Sequence, residues 1–204
     1  MSNVVPFNPL DKLALGESVA DALEKAELYT LCSIEAFVGA GIYAIYYHGD
    51  FAPYKALSER NRNGINSLIP IYVGKAIPKG GRTGGNLSSP PGKVLYKRLA
   101  EHADSIRSAS NLNIKDFSCR FLLVEDTWIP LGENLVISRY VPLWNKVVDG
   151  FGNHNPGKGR HKGVRPRWDV LHPGRHWAEN LEPRSETQEQ IAQEVVQFLS
   201  NNLI

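Results

Sequence analysis

Gly41-Ile42-Tyr43-Ala44-Ile45-Tyr46-Tyr47 is the stretch that decides the fold. With Ala40 before it, this run of isoleucine and tyrosine reads as a strand. A second apolar run, Ile69 to Gly74, carries Ile71-Tyr72-Val73-Gly74-Lys75 and again sets a tyrosine beside a glycine. Pro70 lacks the N–H that a central strand needs, so this run reads as a strand start or an edge. Phe117 to Glu125 is the third strand, with Phe121-Leu122-Leu123-Val124 at its centre.

Helices and loops fill the intervals. Glu17 to Leu31 reads as a helix with Val19, Ala22, Leu23 and Ala26 on its apolar side. Asp50 to Leu68 reads as a long connection, turn-rich at Arg60-Asn61-Arg62-Asn63-Gly64. Pro78 to Gly92 is rich in glycine and proline and reads as a mobile loop. Lys93 to Ala109 repeats apolar residues at helical spacing through Leu95, Leu99, His102/Ala103 and Ile106. Pro130 suits the first turn of a helix that runs to about Tyr140. Beyond Pro142 the periodicity is lost, and Phe151 to Gly174 shows no core-forming pattern. Ser185-Glu186-Thr187-Gln188 offers a capping box for a last helix with Ile191, Val195, Phe198 and Leu199 on one face. The order of elements is that of an α+β fold with a small sheet.

The chain has 204 residues, 42% hydrophobic and 22% charged, as expected of a globular protein with a real core. No apolar run is long enough to span a membrane. Met1 to Lys12 lacks the basic-then-apolar order of a signal peptide. Cys32 and Cys119, without a CxxC pattern, read as buried thiols of a reducing compartment, so the cytoplasm is expected.

The net charge of +2 says little, but its distribution says more. From Lys75 to Ala100 the basic residues Lys75, Lys79, Arg82, Lys93, Lys97 and Arg98 meet no acid. A second basic stretch runs from Lys146 to His176, and the tail beyond Trp177 is acidic. Such a layout suits one positive face offered to a polyanion, or solvated loops with chance clustering.

Five side chains are candidates for chemistry. Arg98 and His102 lie four apart and project from one side of their helix, where a guanidinium suits a phosphate and an imidazole can move protons. The plain alternative is a surface arginine beside a half-buried histidine. Glu133 shares an apolar stripe with Val136, Ile137 and Tyr140. A buried carboxylate asks for a cation: a Mg²⁺ ion, or a salt bridge to a nearby arginine or lysine, which Arg139 or Arg98 could supply. Tyr43 and Tyr72 are poor bases unless their pKa falls by about three units, roughly 4 kcal/mol. A metal ion, Lys75 and Arg98 converging on a phenol oxygen could supply much of that; otherwise the two tyrosines simply pack in the sheet.

Taken together, these residues resemble the GIY-YIG nuclease superfamily, named for two tripeptides on neighbouring strands. Gly41-Ile42-Tyr43 is the first tripeptide, and Tyr72-Val73-Gly74 the second with valine in the middle. Arg98 matches the helix arginine, Glu133 the metal-binding glutamate, and Asn145 the polar residue that closes the set. His102, the long connection and the Gly/Pro-rich loop are similar to the type II restriction endonucleases of the superfamily, especially the group that cuts CCGCGG. The resemblance implies a single nuclease domain over 1–204. Its catalytic core, about 38–146, is a three-stranded antiparallel sheet flanked by helices. A helical extension (1–37) precedes it, and a DNA-contacting basic region with a C-terminal helix (147–204) follows. It further implies Mg²⁺, with Mn²⁺ as a substitute, and a homodimer on palindromic duplex DNA.

In that likeness Glu133 holds the metal and Arg98 stabilises the charge on the phosphate. Tyr43 orients or deprotonates water, Tyr72, His102 and Lys75 tune its proton, and Asn145 positions groups around the metal or the backbone. Tyr43, His102 and Lys75 all stand as candidates for the base. Arg160, Lys162, Arg165 and Arg167, then Lys79, Arg82 and Arg62, are the candidates for DNA contacts, most of them to phosphates. A homing or repair nuclease and a catalytically silent DNA-binding module are the alternatives. His172 and His176 have the spacing of half a zinc site, without a CxxC to complete it.

Overall fold

The computed structural model describes residues 8, 11–64, 68–78, 90–155, 157 and 163–203. Along the chain the elements are α1 (Lys12–Lys25), β1 (Tyr29–Thr30), β2 (Gly41–Tyr47), α2 (Lys55–Asn63), β3 (Tyr72–Ala76), α3 (Val94–Ser108), β4 (Phe117–Leu123) and α4 (Ile129–Tyr140). Four more helices follow: α5 (Leu143–Lys146), α6 (Arg167–Leu171), α7 (His176–Glu179) and α8 (Gln188–Asn202). The strands form one antiparallel sheet in the order β1-β4-β2-β3.

All seven residues of β2 are buried, which explains why they read as a continuous apolar run and not an alternating one. Tyr43, Ile45 and Tyr47 enter one core with Leu95, Leu99 and Ile106 of α3, Phe117, Trp144 and Phe151. Ile42, Ala44 and Tyr46 point the other way, into a second core with Ala20 and Leu23 of α1 and Ile129 and Val136 of α4. Each fully buried isoleucine here contributes about 1.5–3 kcal/mol. The sheet is therefore packed on both faces, and among the described residues β3 is one of its outer strands.

Six expectations need correction. The sheet has four strands and not three, because Tyr29 and Thr30, read as the end of a helix, pair with Cys119 and Ser118. A β-branched threonine beside a tyrosine favours that extended pairing once α1 has ended at Lys25. The supposed connection 50–68 contains α2, whose buried residues are Leu57, Ser58 and Asn61. Two of those three are polar, so no apolar period shows. Asn61 is not a turn residue: its amide donates to Tyr47 O and Ile69 O and accepts from Ile69 N.

The region after Pro142 does build core, since Phe151, Trp168 and Leu171 are all buried. The capping box of α8 uses Thr187 and Gln190, one pair further along than the sequence suggests. Of the two free thiols, Cys119 is buried but Cys32 is exposed. The Gly/Pro-rich loop falls largely on 79–89, outside the described residues.

Candidate active site

Register places the first two candidates. Tyr43 of β2 lies opposite Gly74 of β3, and Tyr72 is two residues earlier on the same face. The ring of Tyr43 crosses over Gly74: a Cβ there would stand 2.6 Å from Tyr43 Cζ and closer still to its hydroxyl. Glycine is what lets the phenol lie flat on the neighbouring strand. The Tyr43 and Tyr72 ring centroids are 6.2 Å apart.

Helix α3 supplies the next pair. His102, 1% exposed, puts Nε2 at 2.6 Å from the Tyr43 hydroxyl oxygen. One turn earlier, Arg98 donates from Nη2 to Gly152 O at 2.8 Å and pairs through Nη1 with Glu101 at 3.2 Å. Nη1 also bonds His154. The loop after α5 closes the pocket: Phe151 stacks on the His102 ring at 4.5 Å and meets Tyr72 edge-on at 4.9 Å.

Lys75 alternates to the opposite face of β3, where its ammonium pairs with Glu133 of α4. The carboxylate's partner is thus Lys75, and not Arg139, which binds Asp21 and Glu24, nor Arg98. Both side chains are mostly buried, at 28% and 15% exposure. Because β3 is an outer strand, groups from the two faces meet around it, and the Glu133 charge is felt by both phenols. Asn145 grips the same edge: Oδ1 accepts from Val73 N and Nδ2 donates to Val73 O, each at 2.8 Å. It thereby holds backbone that carries Tyr72 and Lys75.

Burial sets the protonation of this group. It pushes the Tyr43 phenol well above its ordinary range, helped by neighbouring Tyr72, while the Arg98 charge works the other way. Tyr72 is raised too, again chiefly by burial. His102 is held well below its ordinary value, first by burial and then by the Arg98 charge. Near neutral pH, then, both phenols carry their protons and the imidazole is neutral. In the protein alone, the expected lowering of a tyrosine by Arg98 and Lys75 is outrun by desolvation.

A family model described as the Eco29kI GIY-YIG domain matches residues 35–199. The chain belongs to that family. It is a GIY-YIG nuclease of the restriction type, and the match takes in both the strand-and-helix core and the basic region behind it. No curated protein matches the chain. Among the described residues, no helix is long and apolar enough to cross a membrane.

Of the nuclease's candidate DNA contacts, Lys79, Arg82, Arg160 and Lys162 lie outside the described residues. The other three bind protein groups. Arg62 donates to His48 O and Asp50, and Arg165 to Ala178 O at 3.1 Å. Arg167 reaches Val147 O, Glu186 and Glu194. His172 bonds Tyr54 inside the core, whereas the His176 side chain is 97% exposed. Among the described residues no group of three or more His, Cys, Asp and Glu is gathered for a metal.

Three residues of the site escaped the sequence reading: Phe151, Gly152 and His154. Their only signal is an aromatic–glycine pair placed soon after Asn145, inside a stretch whose basic residues draw the eye.

Proposed function

We propose that the protein is a type II restriction endonuclease that needs Mg²⁺, or Mn²⁺ in its place, and hydrolyses both strands of duplex DNA. On this reading it acts as a homodimer at a palindromic GC-rich site, by likeness CCGCGG, and protects a host's cytoplasm from foreign DNA. The observation that carries the reading is the buried bond between Tyr43 and His102. A neutral imidazole leaves Nε2 free to accept the phenol proton. As water attacks the phosphate, the Tyr43 oxygen takes its proton while passing its own to His102, so no free phenolate has to form beforehand. The Arg98 charge disfavours the imidazolium, and the incoming phosphate offsets it.

Arg98 is aimed by Gly152 O, and its other nitrogen exchanges Glu101 and His154 for phosphate oxygens as charge builds there. Glu133 fits a Mg²⁺ site: its mostly buried carboxylate would hold that ion, which typically takes one or two carboxylates and keeps several waters. When bound, Mg²⁺ supplies positive charge at the scissile phosphate and its leaving oxygen. Lys75 meanwhile holds the carboxylate in place. Asn145 serves the backbone of β3.

Glu133→Ala decides the metal role. Plasmid digestion with and without Mg²⁺ is expected to show cleavage lost, while fluorescence anisotropy shows DNA binding largely kept. Cutting at the wild-type rate by the variant would refute the assignment.

A further inference from the structure

The loop Gly150–Asn153 touches three candidate catalytic side chains at once. Phe151 stacks on His102 and abuts Tyr72, and Gly152 O receives Arg98. It leaves no slack, because a Cβ on Gly152 would stand 2.7 Å from the Tyr72 hydroxyl. A displacement of this loop therefore moves Arg98, Tyr72 and His102 together.

One distant residue holds the loop. Arg175 donates to Gly150 O at 2.9 Å, Phe151 O at 3.1 Å and Asn153 O at 3.2 Å. Its remaining N–H groups go to Asp169 as a bidentate pair, both bonds at 2.6 Å. The five donors of a guanidinium are fixed in one plane, so five acceptors define its position fully. That plane lies between two indoles, with Trp168 at 4.5 Å and Trp177 at 4.6 Å. Arg175 is 4% exposed and Asp169 3%. A buried pair of this kind is weak evidence of net stability but strong evidence of a defined geometry.

We propose that Arg175, fixed by Asp169 and the two tryptophans, is a positioning residue that sets the active site through the Gly150–Asn153 loop. Its catalytic arm rests on the nuclease reading above; its geometric arm does not. Lysine in its place keeps the charge but lacks the fork.

The test is Arg175→Lys, followed in two ways. With arginine side chains ¹⁵N-labelled, the Arg98 Nε–H resonance is expected to shift while that of Arg107, at the far end of α3, stays. In DNA cleavage, kcat is expected to fall about tenfold to a hundredfold with KM little changed. If Arg175→Lys does not fold, Trp177→Leu, at a half-buried position, is judged by the same two readouts. A folded variant with an unmoved Arg98 resonance overturns the proposal. So does a variant that loses melting temperature but keeps the wild-type kcat. Should the wild type itself fail to cut DNA, the nuclease reading falls and the resonance alone decides the positioning role.

Discussion

Two tyrosine–histidine pairs lie buried in this protein, and they are nearly twins. Tyr43 meets His102 and Tyr54 meets His172, each at 2.6 Å. In both pairs burial raises the phenol and lowers the imidazole, His172 to about 3. Their surroundings differ. Tyr54 accepts from Trp144 Nε1 at 2.8 Å, and His172 Nδ1 meets Asn111 Oδ1 at 2.9 Å, so that chain of hydrogen bonds is closed at both ends. His172 is shifted by burial alone. His102 also feels Arg98, His154 and Arg175, and Tyr43 feels Glu133. A displaced pKa marks burial; only convergent charges mark a site for a phosphate.

The largest expected effect separates the pairs by phenol. Tyr43→Phe should lower cleavage by about 10³-fold, far beyond the stability loss of about 1–3 kcal/mol that comes from leaving buried His102 without its partner. Tyr54→Phe should keep cleavage within a few-fold but destabilise by about 1–3 kcal/mol, since Trp144 and His172 lose a buried partner. Loss of cutting by folded Tyr54→Phe protein would dissolve the distinction.

A smaller effect is expected at Gly74. Alanine there pushes the Tyr43 ring off its strand, so cleavage should fall by about a hundredfold. The accompanying loss of stability is about 1–3 kcal/mol, read from urea melts. Unchanged cleavage would mean that the ring's placement is not catalytic.

The smallest effect is one the pairs should share. Both histidines are neutral in the fold, with folded values below the unfolded value of about 6.5. The unfolded chain then takes up protons first, so stability is full above about pH 6.5 and declines as pH falls toward the folded values. Each histidine adds up to about 1.4 kcal/mol per pH unit in that window. His172→Gln and His102→Gln should flatten the urea midpoint alike between pH 7 and pH 5, while only His102→Gln loses cleavage.

The twin pairs also show what a sequence can disclose. Tyr43, Tyr72, Arg98 and His102 were legible because strand and helix periods place them, and the structure brings these four together. Glu133 was legible as a misplaced carboxylate in want of a cation, and the structure supplies a lysine, Lys75 on the facing side of β3, in place of Arg139 or Arg98. Tyr54 gave no sign and His172 was noticed only for its spacing to His176, since each belongs to a segment without a period. Helix α2 hid behind Ser58 and Asn61, polar residues whose burial is made tolerable by hydrogen bonds. Phe151 was hidden for another reason: it is held by a turn and by Arg175, and turns leave no repeating pattern.

The Asn145 amide has a consequence beyond holding Tyr72 and Lys75. A bare outer strand is a template on which another chain's backbone can add, the usual start of unwanted self-association. Lys75 puts one charge on β3, a feature that discourages such addition. By presenting one donor and one acceptor to Val73, Asn145 imitates a single residue of a further strand. The sheet is stopped at that point by a side chain.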